Sequence, residues 1–470
     1  MEVGMLTWNL SSLRRHLRVA ARPLAFLILL TALPLMSGCL FSKRVIPGVD
    51  GRGPAPAPAI SGPVLLRVGL GEELGKQRIA CTGPWRLSSG RYGETIVDLV
   101  LSDTTSVRRM SGKVAYNNDL GGGMVDWVVM SPQDPDDFMI WDGKPWRGEL
   151  HAVLSPRDST GITMINVVEL ESYLAGVVPR EIGGGRSADE LAAVQAQAVA
   201  ARTYTISHLD GRGSRGFDVY ADTRDQVYGG VAVEDSLCSA AVAATAGLVL
   251  RREGRLVDAY YHSTCGGHTA SIDDVWPTDP DPALHGVKDQ RPDGRPYCAD
   301  SKYAQWRQQW TWSELEAVLQ YSLPAYLDAV ARPGRAAWAA EAFIPSGSDA
   351  SGRQPGTLLD LKVDRRTPDG RVDVLTVTTD AGRYHIRGDR TRWVLRPPKG
   401  RPSLLRSAWF DLEVDAGQGV TAVGRGWGHG IGLCQIGCLA RARAGQDVRA
   451  ILGHYYGGAS LEPISEVPTP

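Results

Sequence analysis

The run from Val168 to Leu209, VELESYLAGVVPREIGGGRSADELAAVQAQAVAARTYTISHL, constrains this chain more than any other stretch, because it fixes one carboxylate between two helices. Leu170, Tyr173, Leu174 and Val177 recur at helical spacing. Pro179 has no N–H to continue the ladder, so the first helix is predicted to stop at about Val178. Ser187, with Glu190 three residues on, makes a capping box for a second helix whose apolar face is Leu191, Val194, Ala198, Ala201 and Thr205. Glu181 falls in the connection, between Pro179 and the pliant Gly183 to Gly185, beside apolar Val177, Val178 and Ile182. Partial desolvation lets a carboxyl hold its proton nearer neutral pH, as a general acid must. A loop glutamate is by default a solvated or capping group, so position alone does not decide. Glu169, Glu171, Asp189 and Glu190 read more simply as helix-surface or first-turn acids.

The N-terminal forty residues have a different character. Arg14, Arg15, Arg18 and Arg22 precede AFLILLTALPLM, then Ser37, Gly38 and Cys39, which reads as a signal peptide over 1–39 with an apolar core shorter than a membrane span. The ending M-S-G-C resembles a bacterial lipobox, which implies lipidation at Cys39; ordinary cleavage or an uncleaved anchor is the alternative, and each exports the chain. Residues 40–63 form a Pro/Ala/Gly linker. Of the seven cysteines, six then remain in an oxidising compartment, an even number that allows disulfides. With 51 basic and 52 acidic residues the chain gives no reason to expect nucleic acid.

From 64 to 165 the pattern is of interrupted strands with no cluster that carries chemistry. Arg202 reads as a residue on the polar flank of the second helix, one step from the apolar stripe, able to reach the Glu181 turn; its plainer role is a surface salt bridge. Gln226 and Tyr228, in DVYADTRDQVYGG, lie in a loop or edge and as isolated residues read as turn formers. GLVLRR, the turn Glu253-Gly254 and RLVDAYY form a hairpin that delivers HSTCGGH. In that cluster His262, Cys265 and His268, with Cys298, make an N/S set that tetrahedral zinc accepts. A Cys265–Cys298 disulfide competes with zinc and is favoured by the oxidising compartment; a nucleophilic Cys265 is a further alternative. SKYAQWRQQWTWSELEAVL reads as a helical piece with Trp306, Trp310 and Trp312 in its core, followed by strands. In GRGWGHGIGLCQIG, glycine alternates from 424 to 432 without a following GK[ST], so the run asks for close approach or unusual dihedrals rather than for phosphate, and opens a helix from about Leu433 to near Gly445.

Taken together, LESYLAGVVPREI, AVQAQAVAARTY, the strand into H-S-x-x-G-G-x-T with Trp276 beyond, and G-x-G-x-G-H-G-x-G-x-x-Q resemble the stage II sporulation protein D (SpoIID/LytB) family in that family's order. The resemblance implies an α+β fold, with mixed strands and a few helices forming a glycan groove and a smaller β-rich subdomain. The folded part is 64–460, divided at 64–165, 166–300, 301–415 and 416–460. It further implies that Glu181, the acid of V-P-x-E, is catalytic, and that Gln226, Tyr228, His262, Ser263, His429 and Gln435, with Arg202, bind substrate. Ile182 stands where the family usually has Met, and Gly183 to Gly185 where it has a Pro/Trp-bearing linker. The implied activity is an envelope lytic transglycosylase on peptidoglycan glycan strands, requiring no cofactor, with a structural zinc left open. The alternatives are a non-catalytic amidase enhancer, with an amidase as partner, and a zinc-dependent hydrolase. The implied location is the cell envelope, by a lipid anchor on a membrane.

Overall fold

In the computed structural model, which describes residues 63–464 apart from 92–93, 157–159, 333–335, 340, 347–350, 399–402 and 416, strand Ile162–Glu169 leads straight into the first helix. The signal peptide, Cys39 and all of the linker before residue 63 lie outside these residues. Ile162–Val168 is buried at all but one position, as a strand covered on both faces must be. It pairs antiparallel with Leu65–Leu74 on one side and Glu149–Leu154 on the other. Those three are the second to fourth strands of a seven-stranded sheet that runs Val219–Tyr220, Leu65–Leu74, Ile162–Glu169, Glu149–Leu154, Trp127–Pro132, Trp85–Arg91, Glu94–Leu101. A six-stranded sheet from the same N-terminal region accompanies it. The interrupted strand pattern of 64–165 therefore resolves into two sheets, and the fold is α+β.

Helix α1 (Leu170–Val178) ends as an α-helix where expected, but the winding does not stop. It continues as a π-helical turn, Pro179–Gly183, that carries Glu181. Proline is tolerated at the first position of this new turn because its missing N–H is not called on there. The capping box at Ser187 is present, followed by a short 3₁₀ turn and helix α2 (Leu191–Ser207).

α2 is not a one-faced helix. Ala193, Ala196, Ala198, Ala200 and Ala201 are fully buried together with Gln197, Arg202, Thr203 and Thr205, so neighbours close on it from several sides. Small alanine side chains allow that approach. The helices against it are α1, α3 (Ser236–Ala244) and the C-terminal helices Gln435–Arg443 and Val448–Tyr455. Most of these elements share one large core.

A second core gathers Trp306, Trp310, Leu315, Leu323, Leu375, Tyr384, Phe410 and their neighbours from 306–422. It is built from the helix Trp312–Val330, a four-stranded sheet and a three-stranded sheet. The Trp-rich stretch divides differently from the expectation: Trp306–Trp310 is a strand, and the helix starts at Trp312 behind a Thr311/Glu314 capping box. Positions i and i+4 share a face in a strand as well as in a helix, so the tryptophan spacing fits both. Among the described residues, no helix is long and apolar enough to cross a membrane.

Candidate active site

Glu181 is held by two chain segments far from it in sequence. Its Oε1 accepts a 2.8 Å hydrogen bond from the Val227 N–H, and its Oε2 lies 3.5 Å from Gln435 Nε2. Burial among apolar neighbours raises its pKa above the usual carboxylate value, against smaller opposing effects from Val227 and Gln435. The site therefore holds a half-buried carboxyl biased toward its protonated form.

The turn that carries it is fastened from behind. Gly183 and Gly185 take φ of 93° and 68°, a left-handed backbone that favours glycine. The Gly185 N–H donates to Asp235 Oδ2 at 3.0 Å, while Asp235 Oδ1 caps α3 through the Cys238 N–H. Arg186 adds hydrogen bonds to the carbonyls of Ile182 and Gly183.

Gln226 lies beneath the acid, with no exposed surface, and uses its whole hydrogen-bonding capacity. Its Oε1 accepts from Tyr173 at 3.1 Å and Thr205 at 2.7 Å; its Nε2 donates to the Ala201 carbonyl at 3.2 Å and the Tyr261 hydroxyl at 3.0 Å. This hub joins α1, α2 and strand Tyr261–His262, and it fixes the backbone whose next amide binds Glu181. Gln226 positions the acid rather than lining a groove. Tyr228 is likewise buried, its hydroxyl on Asn166 Oδ1 at 3.0 Å and its ring against Trp146 and Tyr173.

Arg202 also departs from the expectation. It is fully buried, forks onto Glu171 at 2.8 and 2.7 Å, and donates to the carbonyls of Leu248 and Val242. It is a structural pair joining α1 to α2, out of reach of any sugar, because α2 has no open polar flank here.

The glycine-rich run crosses the HSTCGGH turn. Tyr261–His262 pairs parallel with Leu433–Cys434, and Thr264 bridges Trp427. Gly426, Gly428, Gly430 and Gly432 all have positive φ, and a Cβ at Gly432 would meet the Tyr260 carbonyl oxygen at 2.1 Å. The alternation thus serves close backbone approach. The helix it opens runs Gln435–Arg443, and Gly445 follows with φ of 83°. His429 is pinned as one tautomer: its Nε2 donates to the Tyr261 carbonyl and its Nδ1 accepts from the Ile431 N–H, both at 3.0 Å. Burial lowers its pKa to about 4, so it is neutral at physiological pH. Trp276 lies against it, ring centroids 5.2 Å apart. Ser263 is half-buried and beside Thr264, whereas His262 is buried and donates from Nδ1 to the Ile431 carbonyl.

The expected four-residue metal set does not converge. His268 Nδ1 faces the Thr269 carbonyl at 2.6 Å, and neither histidine joins the sulfurs. Cys265 and Cys298 meet Cys434 instead, with all six described cysteines free. Sequence reasoning missed Tyr173, Tyr261 and Gln197 as parts of the site. Gln197 Oε1 lies 3.4 Å from Gln435 Nε2, and nothing but its place mid-helix among alanines marked it.

Comparison with known proteins agrees with this architecture. Residues 158–251, which include α1, Glu181, α2, Gln226 and α3, match the family model described as "Stage II sporulation protein". Residues 344–432 match a domain of unknown function. An uncharacterized protein of Brachyspira hyodysenteriae is 27% identical over 407 residues, 86% of this chain and 94% of that one. The amidase enhancer of Bacillus subtilis is 30% identical over 61% of this chain, which spans only 40% of that protein's length. Stage II sporulation protein D of Bacillus subtilis is 26% identical over 63% of this chain and 74% of its own length. Over residues 158–251 the chain thus carries a region similar to the SpoIID/LytB family.

Proposed function

We propose that this chain is a lytic transglycosylase of the cell envelope that cuts the bond between N-acetylmuramic acid and N-acetylglucosamine in peptidoglycan glycan strands. The observation that carries the reading is Glu181 itself: a half-buried carboxyl with a raised pKa, oriented by the Val227 amide and by Gln435. In the acid form it protonates the glycosidic oxygen as the C–O bond to the leaving sugar breaks. The resulting carboxylate then takes the proton from the muramic acid's own 6-hydroxyl as that oxygen bonds to the anomeric carbon. The product ends in a 1,6-anhydro ring and the acid is regenerated, with no water consumed. One carboxylate suffices because the internal hydroxyl does what a second acid does in ordinary glycosidases. Substrate contacts fall to Ser263 and Gln435 at the turn and at the helix start beside the acid. His429, neutral and backbone-pinned, shapes that wall with Trp276.

The supporting arrangement is exported and carried on a lipid at Cys39, which places it against its polymer. A second reading is favoured by the amidase-enhancer relative: a glycan-binding protein that stimulates an amidase without cutting. Mass spectrometry of purified peptidoglycan, with and without stem peptides, distinguishes them. Anhydro-ended fragments from wild type and none from Glu181→Gln support the transglycosylase. Binding by both proteins with cleavage by neither sinks it in favour of the enhancer.

A further inference from the structure

Three thiols meet in the core behind the acid. Cys265, Cys298 and Cys434 are each fully buried, and their sulfurs all lie within 4.8 Å of one another. Cys265 Sγ and Cys298 Sγ are 3.6 Å apart. That separation is far beyond the ~2.05 Å of a disulfide and close to the ~3.8 Å edge of a tetrahedron with ~2.3 Å metal–sulfur bonds.

Backbone N–H groups are aimed at two of the three sulfurs. The Gly267 N–H donates to Cys265 Sγ at 3.3 Å, and the N–H groups of Cys265 and Gly437 donate to Cys434 Sγ at 3.2 and 3.3 Å. Cys434 is the N-cap of the nine-residue helix Gln435–Arg443, so the helix dipole also favours its ionised form. The buried Arg371 guanidinium donates to the Cys265 and His268 carbonyls and supplies positive charge at the same turn. Asp289 Oδ2 lies 3.3 Å from Cys265 Sγ, with Arg441 on its Oδ1 and Tyr455 on its Oδ2.

We propose that Cys265, Cys298 and Cys434 bind one zinc(II) ion as thiolates, the ion taking the place of the proton that Cys265 donates to Asp289. Zn²⁺ displaces the three thiol protons to solvent, giving a cluster of net charge −1 beside the Arg371 guanidinium, which is itself paired with Asp369. Soft sulfur donors select zinc over calcium or magnesium. An odd set of three thiols cannot be consumed by pairing among themselves, whereas one ion engages all three. The ion ties together the HSTCGGH turn, the 296–300 segment and the residue just before Gln435. It thereby braces the partner of Glu181, and the site stands whether or not the chain cuts glycan.

The test is metal analysis of the full chain, purified from the envelope in detergent without chelator, together with alkylation of its thiols before and after reduction. Wild type should carry one zinc per chain. Cys298→Ser and Cys434→Ser should each bind at least about tenfold more weakly, while Cys438→Ser, whose thiol faces the Ala193 carbonyl, should keep the ion. Because the serine variants could fail to fold, wild type is also stripped and reloaded with cobalt(II), where sulfur-to-cobalt charge-transfer absorption reports thiolate ligation. Protein without metal in which Cys265 and Cys298 resist alkylation until reduced would establish the disulfide and overturn the proposal. Full zinc retention in Cys434→Ser, or cobalt spectra without the sulfur band, would overturn it equally.

Discussion

Replacing Gln226 by Met separates the polar role of this residue from its bulk. The two side chains are close in volume, so no large cavity opens, and the cost is one of hydrogen bonding. Gln226 makes four hydrogen bonds in a fully buried setting. Not all four losses count equally. Thr205 keeps its 2.8 Å bond to the Ala201 carbonyl, so both groups stay satisfied after the substitution. Tyr173 and Tyr261 lose the amide that joins their hydroxyls. At about 1–3 kcal/mol for each buried polar group left unmatched, the substitution should destabilise the protein by about 2–6 kcal/mol. That is a large share of the ~5–15 kcal/mol that typically holds a domain together. The assay is the denaturant midpoint at unchanged slope, read on far-UV circular dichroism. Activity should fall as well, although Glu181 is intact, because the Val227 amide loses its anchored neighbour. A loss below about 1 kcal/mol would mean that the two tyrosines re-pair with each other and that Gln226 is not the hub argued here.

The other predictions rest on single contacts. Glu181→Gln should abolish cleavage while leaving the fold at least as stable at neutral pH, checked by thermal melting beside the product assay. The folded pKa of Glu181 is raised, so its ionisation opposes folding as pH rises from the ordinary carboxylate value through the raised one, and the glutamine removes that penalty. Wild-type stability should therefore gain on the variant as pH falls through that window. For the same reason cleavage, which needs the protonated acid, should survive above the ordinary glutamate pKa of ~4.3 and fall off only at the raised value, a limb seen in the pH profile of turnover. Arg202→Met should cost about 3 kcal/mol, toward the lower end for a broken buried pair because Glu171 is partly exposed, and should leave glycan affinity unchanged in a pull-down with sacculi. Gly432→Ala should lower the yield of folded protein, since its Cβ would press on the Tyr260 carbonyl at a left-handed backbone position.

Much of this was legible because local chemistry left marks in the sequence. The Ser187/Glu190 box, the Glu253-Gly254 turn and the alternating glycines each encode a backbone event within a few residues, and each is where the letters put it. The turn that carries Glu181 was legible for the same reason: Pro179 and the glycine run fix its two ends. The π-helical winding was not, since proline is tolerated at the start of such a turn as well as after the end of a helix. The strand at Trp306–Trp310 was misjudged because four-residue spacing does not distinguish the two periods.

The site residues that were misplaced share a cause. Arg202, Gln226 and Tyr228 are polar, and polarity in a sequence reads as exposure; here each is buried because its partner arrives from a distant segment. Arg202 meets a carboxylate 31 positions away, and Gln226 a phenol 53 positions away. The same logic made Cys434 invisible as a companion of Cys265, from which it is separated by 169 residues. Glu181 itself is completed only by an amide 46 residues on and a side chain 254 residues on. Spacing along the chain can name the acid, but the groups that set its proton affinity come from tertiary structure. The tests with most leverage on its chemistry therefore lie at Gln226 and Gln435 as well as at the acid.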